Sequence, residues 1–269
     1  MDIIQILKDE LQINRSQAEA AVKLIDEGNT IPFIARYRKE ATGSLNDEVL
    51  RNLDERLKYL RNLEERKEQV INSIREQEKL TPELEKKILA ASTLVAVEDL
   101  YLPYRPKRKT RASIAKEKGL EPLANLVLMQ LTKTPLLKEA EHYISEEKGV
   151  LTAEEALNGA KDILAERIAE TAEYRTYIRK ATFQEGSLDS SARDGNAESV
   201  YEMYYNFTEP VKKAAGHRIL ALNRGEKEKI LTVKITAPEE KILRYLEKKV
   251  ITRENPETAR VLREVTEDS

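Results

Sequence analysis

Two columns of aliphatic residues repeat at seven-residue spacing after Ser44, and they constrain the fold of this chain more than any other pattern. The first column holds Leu50, Leu57 and Ile71, and the second holds Leu53, Leu60 and Ile74. Glu64 and Lys67 occupy the same columns in between, so an apolar seam runs along a helix, is interrupted and then resumes. Such a seam favours an antiparallel helix packed against it over a dimeric zipper. We therefore expect long antiparallel helices in a monomeric chain, with Ser44 as the N-cap.

The proportions of turn-forming and charged residues extend this prediction to the whole chain of 269 residues. Glycine and proline number nine each, while charged residues make up 35% and aromatic residues 5%. Few turn-formers and many charged side chains are typical of long solvated helices. The predicted fold is mainly α, an elongated multi-helix scaffold.

A hairpin of two short helices is predicted at the N-terminus. An apolar helical repeat is followed by Ser16 and Glu19, which have the spacing of a capping box. The second helix is expected to end at Gly28, a residue type that commonly follows a helix C-terminus. The two helices and their tight polar turn form a helix-turn-helix-like unit. Helix pairs of this kind more often pack against other helices of the protein than bind DNA.

The C-terminal third differs from this helical pattern in two places. Alternating β-branched residues predict one short β element near 230–236. The stretch 184–196 is polar and rich in turn-forming residues, so it is predicted to be a loop and the best internal boundary. We predict a helical domain over 1–190 and a second helical region over 191–269, in which the short strand precedes the start of a long, truncated helix.

Several classes of function are disfavoured by residues that the chain lacks. It contains no cysteine, so disulfides, thiol nucleophiles and cysteine-ligated metals are excluded. His142 and His217 do not have metal-ligand spacing, and no glycine-rich phosphate loop or nucleophile elbow is present. We therefore predict no enzyme activity, no cofactor and no bound metal. No signal peptide or membrane span is evident, which predicts a cytoplasmic protein without membrane contact.

A first cationic segment follows the N-terminal hairpin. Arg36, Arg38 and Lys39 surround Tyr37 directly after an apolar triad over 31–34. Because the net charge of the chain is −2, any attraction for nucleic acid must come from local groups of this kind. A structural role, with Arg36 or Tyr37 buried and hydrogen-bonded to helix ends, is the alternative to ligand contact.

A second cationic segment interrupts the helical pattern near residue 105. Between residues 101 and 118 there are seven basic side chains and one acid, Glu117. The predicted ligand-contacting residues of this loop are Arg105, Lys107, Arg108, Lys109 and Arg111. Two prolines stiffen the loop, and Tyr101 and Tyr104 beside it are predicted to stack on bases. The alternatives are simple solvation and pairing with an acidic helix such as the one that contains Glu64.

Four blocks of sequence, 28–43, 98–111, 118–123 and 217–226, resemble the N-terminal part of the Tex family, bacterial transcription accessory proteins related to a eukaryotic transcription elongation factor. The resemblance implies an elongated, mainly helical scaffold. In full-length members such a region precedes an RNase H-like domain, a helix-hairpin-helix segment and a C-terminal OB-fold that binds RNA. It also implies that much of the nucleic-acid binding belongs to that OB-fold.

Two hypotheses of function follow from the cations and the resemblance. The first is a nucleic-acid-associated helical scaffold of the transcription machinery, whose basic loops contact the phosphates of RNA or DNA independently of sequence. The second is a protein-interaction module that docks RNA polymerase or a ribosome-associated partner, while absent C-terminal domains bind the nucleic acid.

Overall fold

Helices dominate the structure, as predicted, and they fall into two units that are described separately. The computed structural model describes residues 1–106, 108–194 and 199–269. The first unit is Met1–Tyr104 and the second is Arg105–Ser269. The division into domains at residue 190 stays a prediction.

The helices of the first unit are short except for one. Their bounds are α1 Ile3–Leu11, α2 Arg15–Asp26, α3 Ile31–Tyr37, α4 Asp47–Glu76, α5 Pro82–Ala90 and α6 Leu94–Tyr101. The 30-residue helix α4 runs through the predicted seam, and all six aliphatic residues of the two columns are buried. Within this unit, α1, α2 and α3 pack on the first half of α4, and α5 and α6 pack on the second half. Two groups of short helices therefore cover the seam where a long antiparallel partner was expected.

The interruption of the seam is a buried polar contact. Lys67 exposes only 2% of its surface. Its ammonium donates a hydrogen bond to the carbonyl oxygen of Leu89 at 2.9 Å and lies 2.9 Å from Glu64 Oε1. The carbonyl of Leu89 lies in the last turn of α5, where it lacks a helical donor and where the helix dipole favours a cation. Lys67 thus ties α4 to the end of α5.

The N-terminal hairpin is present, although its caps differ from those predicted. The N-cap of α2 is Asn14, whose backbone N–H donates to Gln17 Oε1 at 2.9 Å, so the Ser16 and Glu19 prediction is wrong by two residues. Helix α2 is followed by Gly28 with a φ of 83°, as predicted. The N-cap of α4 is Asn46 and not Ser44, because the Asn46 side chain accepts from the N–H of Val49.

The second unit contains eight helices and three strands among its described residues. The helices are α7 Arg111–Glu117, α8 Glu121–Met129, α9 Leu136–Glu141, α10 Ala153–Glu170, α11 Ala172–Glu185, α12 Gly216–Lys227, α13 Glu239–Val250 and α14 Pro256–Asp268. The strands are β1 Ser187–Ala192, β2 Asn206–Pro210 and β3 Leu231–Thr236. Helix α10 lies at the centre of the main core and contacts α7, α8, α9, α11 and α14.

Close packing between α7 and α10 depends on a glycine in the middle of α10. A Cβ atom built on Gly159 would lie 2.4 Å from Leu120 Cδ1 and 3.2 Å from Ala115 Cβ. Both neighbours are buried in the main core, so a side chain at position 159 would have to displace them. The lack of a side chain at Gly159 therefore permits this approach.

The three strands form an antiparallel sheet in the order β2-β1-β3, which corrects the prediction for 184–196. The β element near 230–236 is confirmed as β3. The predicted loop instead contains the central strand, in which Leu188 pairs with Glu209 on one side and Ile235 on the other. The sequence of β1 has no β-branched residue, so neighbouring strands on both sides stabilise it more than intrinsic propensity does.

The Asp189 carboxylate in β1 is expected to make the stability of the fold depend on pH in the acidic range. Hydrogen bonds from Thr236, Ser187 and Thr208 lower the pKa of Asp189 below its ordinary value of 3.8. A carboxylate with a lowered folded-state pKa stabilises the fold above its unfolded pKa, and this stabilisation is lost as the pH falls through the folded value. We expect Asp189→Asn to lose stability at neutral pH and to converge with the parent chain below the Asp189 pKa.

The measurement is the free energy of urea unfolding between about pH 6 and about pH 2.5. Glu240→Gln is the matched control, because the Glu240 carboxylate is 88% exposed and pairs with Arg244 four residues on. A constant difference between Asp189→Asn and the parent chain across this range would contradict the interpretation.

Candidate nucleic-acid interface

The first predicted cationic segment lies at the C-terminal end of α3. Arg36 and Tyr37 occupy its last turn, and Arg38 is the C-cap residue. We call Arg36, Arg38 and Lys39 the α3 basic cluster; all three side chains are exposed. Among the described residues, no carboxylate forms an ion pair with any of them. Burial of Arg36 or Tyr37, the structural alternative, is not observed.

The backbone that carries the cluster is held by hydrogen bonds on its inner side. Thr42 is fully buried, and its hydroxyl donates to the carbonyl of Arg38 at 3.1 Å. The N–H of Ser44 donates to the carbonyl of Lys39 at 2.7 Å. Gln17 of α2 donates to the carbonyl of Gly43 at 3.0 Å. The loop is therefore ordered before any ligand arrives, which lowers the entropic cost of binding.

Tyr37 adds an aromatic surface to the α3 basic cluster. Its exposed fraction is 67%, and its ring lies 5.3 Å from that of Phe33, measured between centroids. The guanidinium carbon of Arg38 lies 5.3 Å from the centroid of the same Phe33 ring. Phe33 thus supports both the tyrosine and one of the three cations.

The second predicted segment, Arg105 to Arg111, divides into free and paired cations. Lys107 lies outside the described residues. Arg105 and Arg108 are exposed, and neither pairs with a carboxylate in the part of the chain that the structure describes. Lys109 lies 3.6 Å from Glu117, in a pair that is exposed on both sides.

Arg111 is neutralised by two carboxylates of the same unit. Its guanidinium lies 3.4 Å from Asp162 and 2.9 Å from Asp268. Burial raises the pKa of Asp162, and the nearby Asp268 raises it further, although Arg111 acts in the opposite direction. Arg111 therefore offsets the charge of two carboxylates in its own unit. For this residue, intramolecular pairing, one of the alternatives for the segment, is observed.

The acidic helix named as a partner for this segment has other contacts. Glu64 lies beside Lys67 and also accepts from the N-terminal ammonium at 2.9 Å. Burial opposes ionisation of Glu64, but these two cations outweigh it and lower the pKa of the carboxyl. Glu64 therefore already pairs with two cations of the first unit.

The two tyrosines beside the second segment pack into the core of the first unit, and this burial argues against their expected role in stacking on bases. Tyr101 is buried, and its hydroxyl lies 3.0 Å from that of Ser73. The guanidinium carbon of Arg66 lies 5.4 Å from the centroid of the Tyr101 ring. Tyr104 packs against the same core at the end of α6. Both rings belong to the core of the first unit.

Sequence reasoning missed the residues that anchor the loop after α3. Thr42 and Gln17 have no property in the sequence that distinguishes them from other polar residues, because their contacts depend on how α2 meets that loop. The described part of the chain contains no group of three or more histidine, cysteine or acidic side chains placed to hold a metal. In the same residues, no helix has the length and apolarity needed to cross a membrane.

Comparisons with known proteins match two parts of the chain to family models. Residues 1–75 match the Tex-like protein N-terminal domain, and residues 132–264 match the model described as Tex central region-like. The protein YdcI of Bacillus subtilis, described as uncharacterized, is 47% identical over 268 residues, which are 98% of this chain and 37% of that protein.

Two further relatives carry descriptive names. Transcriptional accessory protein Tex of Neisseria gonorrhoeae is 44% identical over 235 residues, 87% of this chain and 31% of that protein. The human S1 RNA-binding domain-containing protein 1 is 31% identical over 244 residues, 87% of this chain and 24% of that protein. The chain therefore spans between about a quarter and somewhat over a third of these relatives.

Proposed function

Because this chain belongs to the Tex family, we propose that it is a non-enzymatic helical scaffold of a transcription accessory protein that contacts nucleic acid through its basic loops. The names of two relatives support this assignment, since one is a transcriptional accessory protein and the other an S1 RNA-binding domain-containing protein. The expected ligand is RNA or DNA, bound by its phosphates without sequence preference. The expected setting is the cytoplasm, with the chain acting as a monomer.

The observation that carries the proposal is the state of the α3 basic cluster. Its three cations are exposed, lack carboxylate partners among the described residues and stand on a backbone that is already ordered. The other six arginines of the first unit all pair with acids, as Arg56 does with Glu10 and Arg61 does with Asp26. Free cations on an ordered loop suit a polyanion, because counterion release drives phosphate binding.

For the second segment we propose fewer phosphate contacts than the five expected from the sequence, because Arg111 is paired. Arg105 and Arg108 are available to phosphates, whereas Arg111 is occupied by Asp162 and Asp268. A nucleic acid that contacts Arg111 must compete with these two carboxylates. We propose that Arg105, Lys107, Arg108 and Lys109 act as auxiliary phosphate contacts.

Charge reversal at the α3 basic cluster tests the proposal. We expect Arg36→Glu/Lys39→Glu to weaken binding of a fluorescent single-stranded RNA about tenfold or more at low salt, because two phosphate contacts are replaced by repulsion. The slope of log affinity against log salt is expected to become shallower by about 0.7 for each phosphate that the variant no longer neutralises. Fluorescence anisotropy across a salt series measures both quantities.

The matched control is Arg51→Glu/Lys58→Glu, which makes the same charge change on exposed residues of α4 that already pair with Asp47 and Asp54. This control is expected to retain most of the affinity. Equal weakening in both double variants would mean that only net charge matters and would remove the cluster from the interface. Lys107→Glu/Arg108→Glu/Lys109→Glu tests the second segment in the same assay.

A protein-docking role is the second candidate, and one observation favours it. Val200, Met203 and Leu220 of the second unit are exposed by 87%, 73% and 68%. Exposed apolar side chains of this size are more typical of protein contacts than of phosphate contacts. If RNA polymerase or a ribosome-associated protein is the partner, association should survive nuclease treatment and be abolished in Met203→Glu/Leu220→Glu.

A further inference from the structure

Tyr37 is exposed to a degree that is unusual for an aromatic side chain of this protein. Its exposed fraction of 67% exceeds the 53% of Phe183, the next aromatic side chain in exposure among the described residues. Tyrosines 59, 101, 104, 143, 174, 177, 201, 204, 205 and 245 are buried or half-buried. An exposed ring of this size does not gain the stabilisation that burial provides. Its exposure therefore favours a role in contacting a ligand.

The ring of Tyr37 is supported on one side. Phe33 lies 5.3 Å away at an interplanar angle of 46°, and Arg38 lies over the same Phe33 ring. A ring held in this way loses little side-chain freedom when a ligand contacts its open side. Arg36, Arg38 and Lys39 place positive charge within two residues of it.

A second group of tyrosines differs from Tyr37 because its rings contact one another. Tyr177 and Tyr245 stack on one another with centroids 3.6 Å apart, and Tyr174 meets Tyr245 edge to face. Lys249 lies near the Tyr245 ring and also pairs with Glu173. In that group the rings are occupied by each other and a neighbouring cation is neutralised. At Tyr37 the cations have no such partner among the described residues.

We propose that Tyr37 is a stacking platform for one unpaired nucleobase, so that the α3 basic cluster binds single-stranded nucleic acid in preference to a duplex. This inference rests on the proposed function and specifies its ligand. Every base has a π face, so stacking is tolerant of sequence, and the neighbouring cations bind the flanking phosphates. The faces of paired bases inside a duplex are covered by adjacent pairs. Tyr37 is therefore useful only against a strand whose bases are unstacked.

The experiment measures the affinity of the full 269-residue chain for a fluorescent oligouridine and for a blunt RNA duplex of the same length. The Tyr37→Ala variant is expected to bind the single strand about tenfold more weakly and the duplex with unchanged affinity. Tyr37→Phe is expected to stay within about twofold of the parent chain, because the π face is retained. An oligothymidine arm shows whether DNA is bound in the same way.

Phe183→Ala is the matched control, because it removes the next most exposed aromatic ring, and it is expected to leave both affinities unchanged. Thermal unfolding of each variant reports whether the fold is retained. If Arg36→Glu/Lys39→Glu weakens binding while Tyr37→Ala does not, the stacking site is refuted and the phosphate interface stands. If neither variant changes the affinity, both proposals are refuted.

Discussion

The Gly159→Val variant is expected to lower the free energy of unfolding of the second unit by roughly 3 kcal/mol. The new Cβ would lie 2.4 Å from Leu120 Cδ1 and 3.2 Å from Ala115 Cβ, and the two γ-methyl groups add further volume. Both neighbours are buried, so α7 and the following turn with Leu120 must move away from α10, or side chains must leave their preferred rotamers. The gain in helix propensity over glycine, about half a kcal/mol, does not offset this cost.

Urea unfolding followed by circular dichroism measures the effect. Asn158→Val is the matched control, because position 158 is in the same helix and exposed, so that valine there changes propensity without a clash. We expect the control to stay within about 0.5 kcal/mol of the parent chain. Equal destabilisation by the two substitutions would show that α7 and α10 are not closely packed at Gly159.

The Lys67→Met variant is expected to lower the free energy of unfolding of the first unit by about 2 to 3 kcal/mol. Methionine matches the apolar stem of lysine, so the change chiefly removes the ammonium. The carbonyl of Leu89 then loses the hydrogen bond from Lys67, and Glu64 keeps the N-terminal ammonium but loses the lysine. Glu64 remains 31% exposed, which limits the cost of the unpaired carboxylate.

Lys58→Met provides the comparison for this variant, since Lys58 is on the same helix but its side chain is 72% exposed. Exposed pairs four residues apart contribute about 0.5 kcal/mol or less, so the control should be nearly neutral. A Lys67→Met chain as stable as the control would mean that the buried ammonium has no net stabilising effect. Replacement by a well-packed apolar group can have that result.

The main fold could be predicted from spacing, because the seam of α4 depends on local periodicity. The interruption at Lys67 is visible in the sequence, but its partner at Leu89 is not. Strand β1 could not be predicted from the sequence, because its residues have the composition of a turn. It is stabilised by pairing with two strands that lie later in the chain. Local propensity does not report such pairing.

The candidate interface was predictable only in part, for a related reason. The positions of the cations are evident from composition, whereas their freedom depends on which acids approach them in the fold. Arg111 meets Asp162 and Asp268, which are distant in sequence, so its pairing could not be read from the run of basic residues. The prolines near Tyr101 favour an exposed ring in a loop, and the core formed by α4 and α6 buries it instead.

The hydrogen bonds that hold the segment after α3 have a kinetic consequence. Hydrogen bonds from Thr42, Gln17 and Ser44 hold its backbone, so capture of a polyanion by the proposed interface would involve no prior ordering of the chain. Encounter is then set by diffusion and by electrostatic attraction that ionic strength weakens. If the proposed interface binds nucleic acid, a surface of this kind exchanges one strand for another quickly.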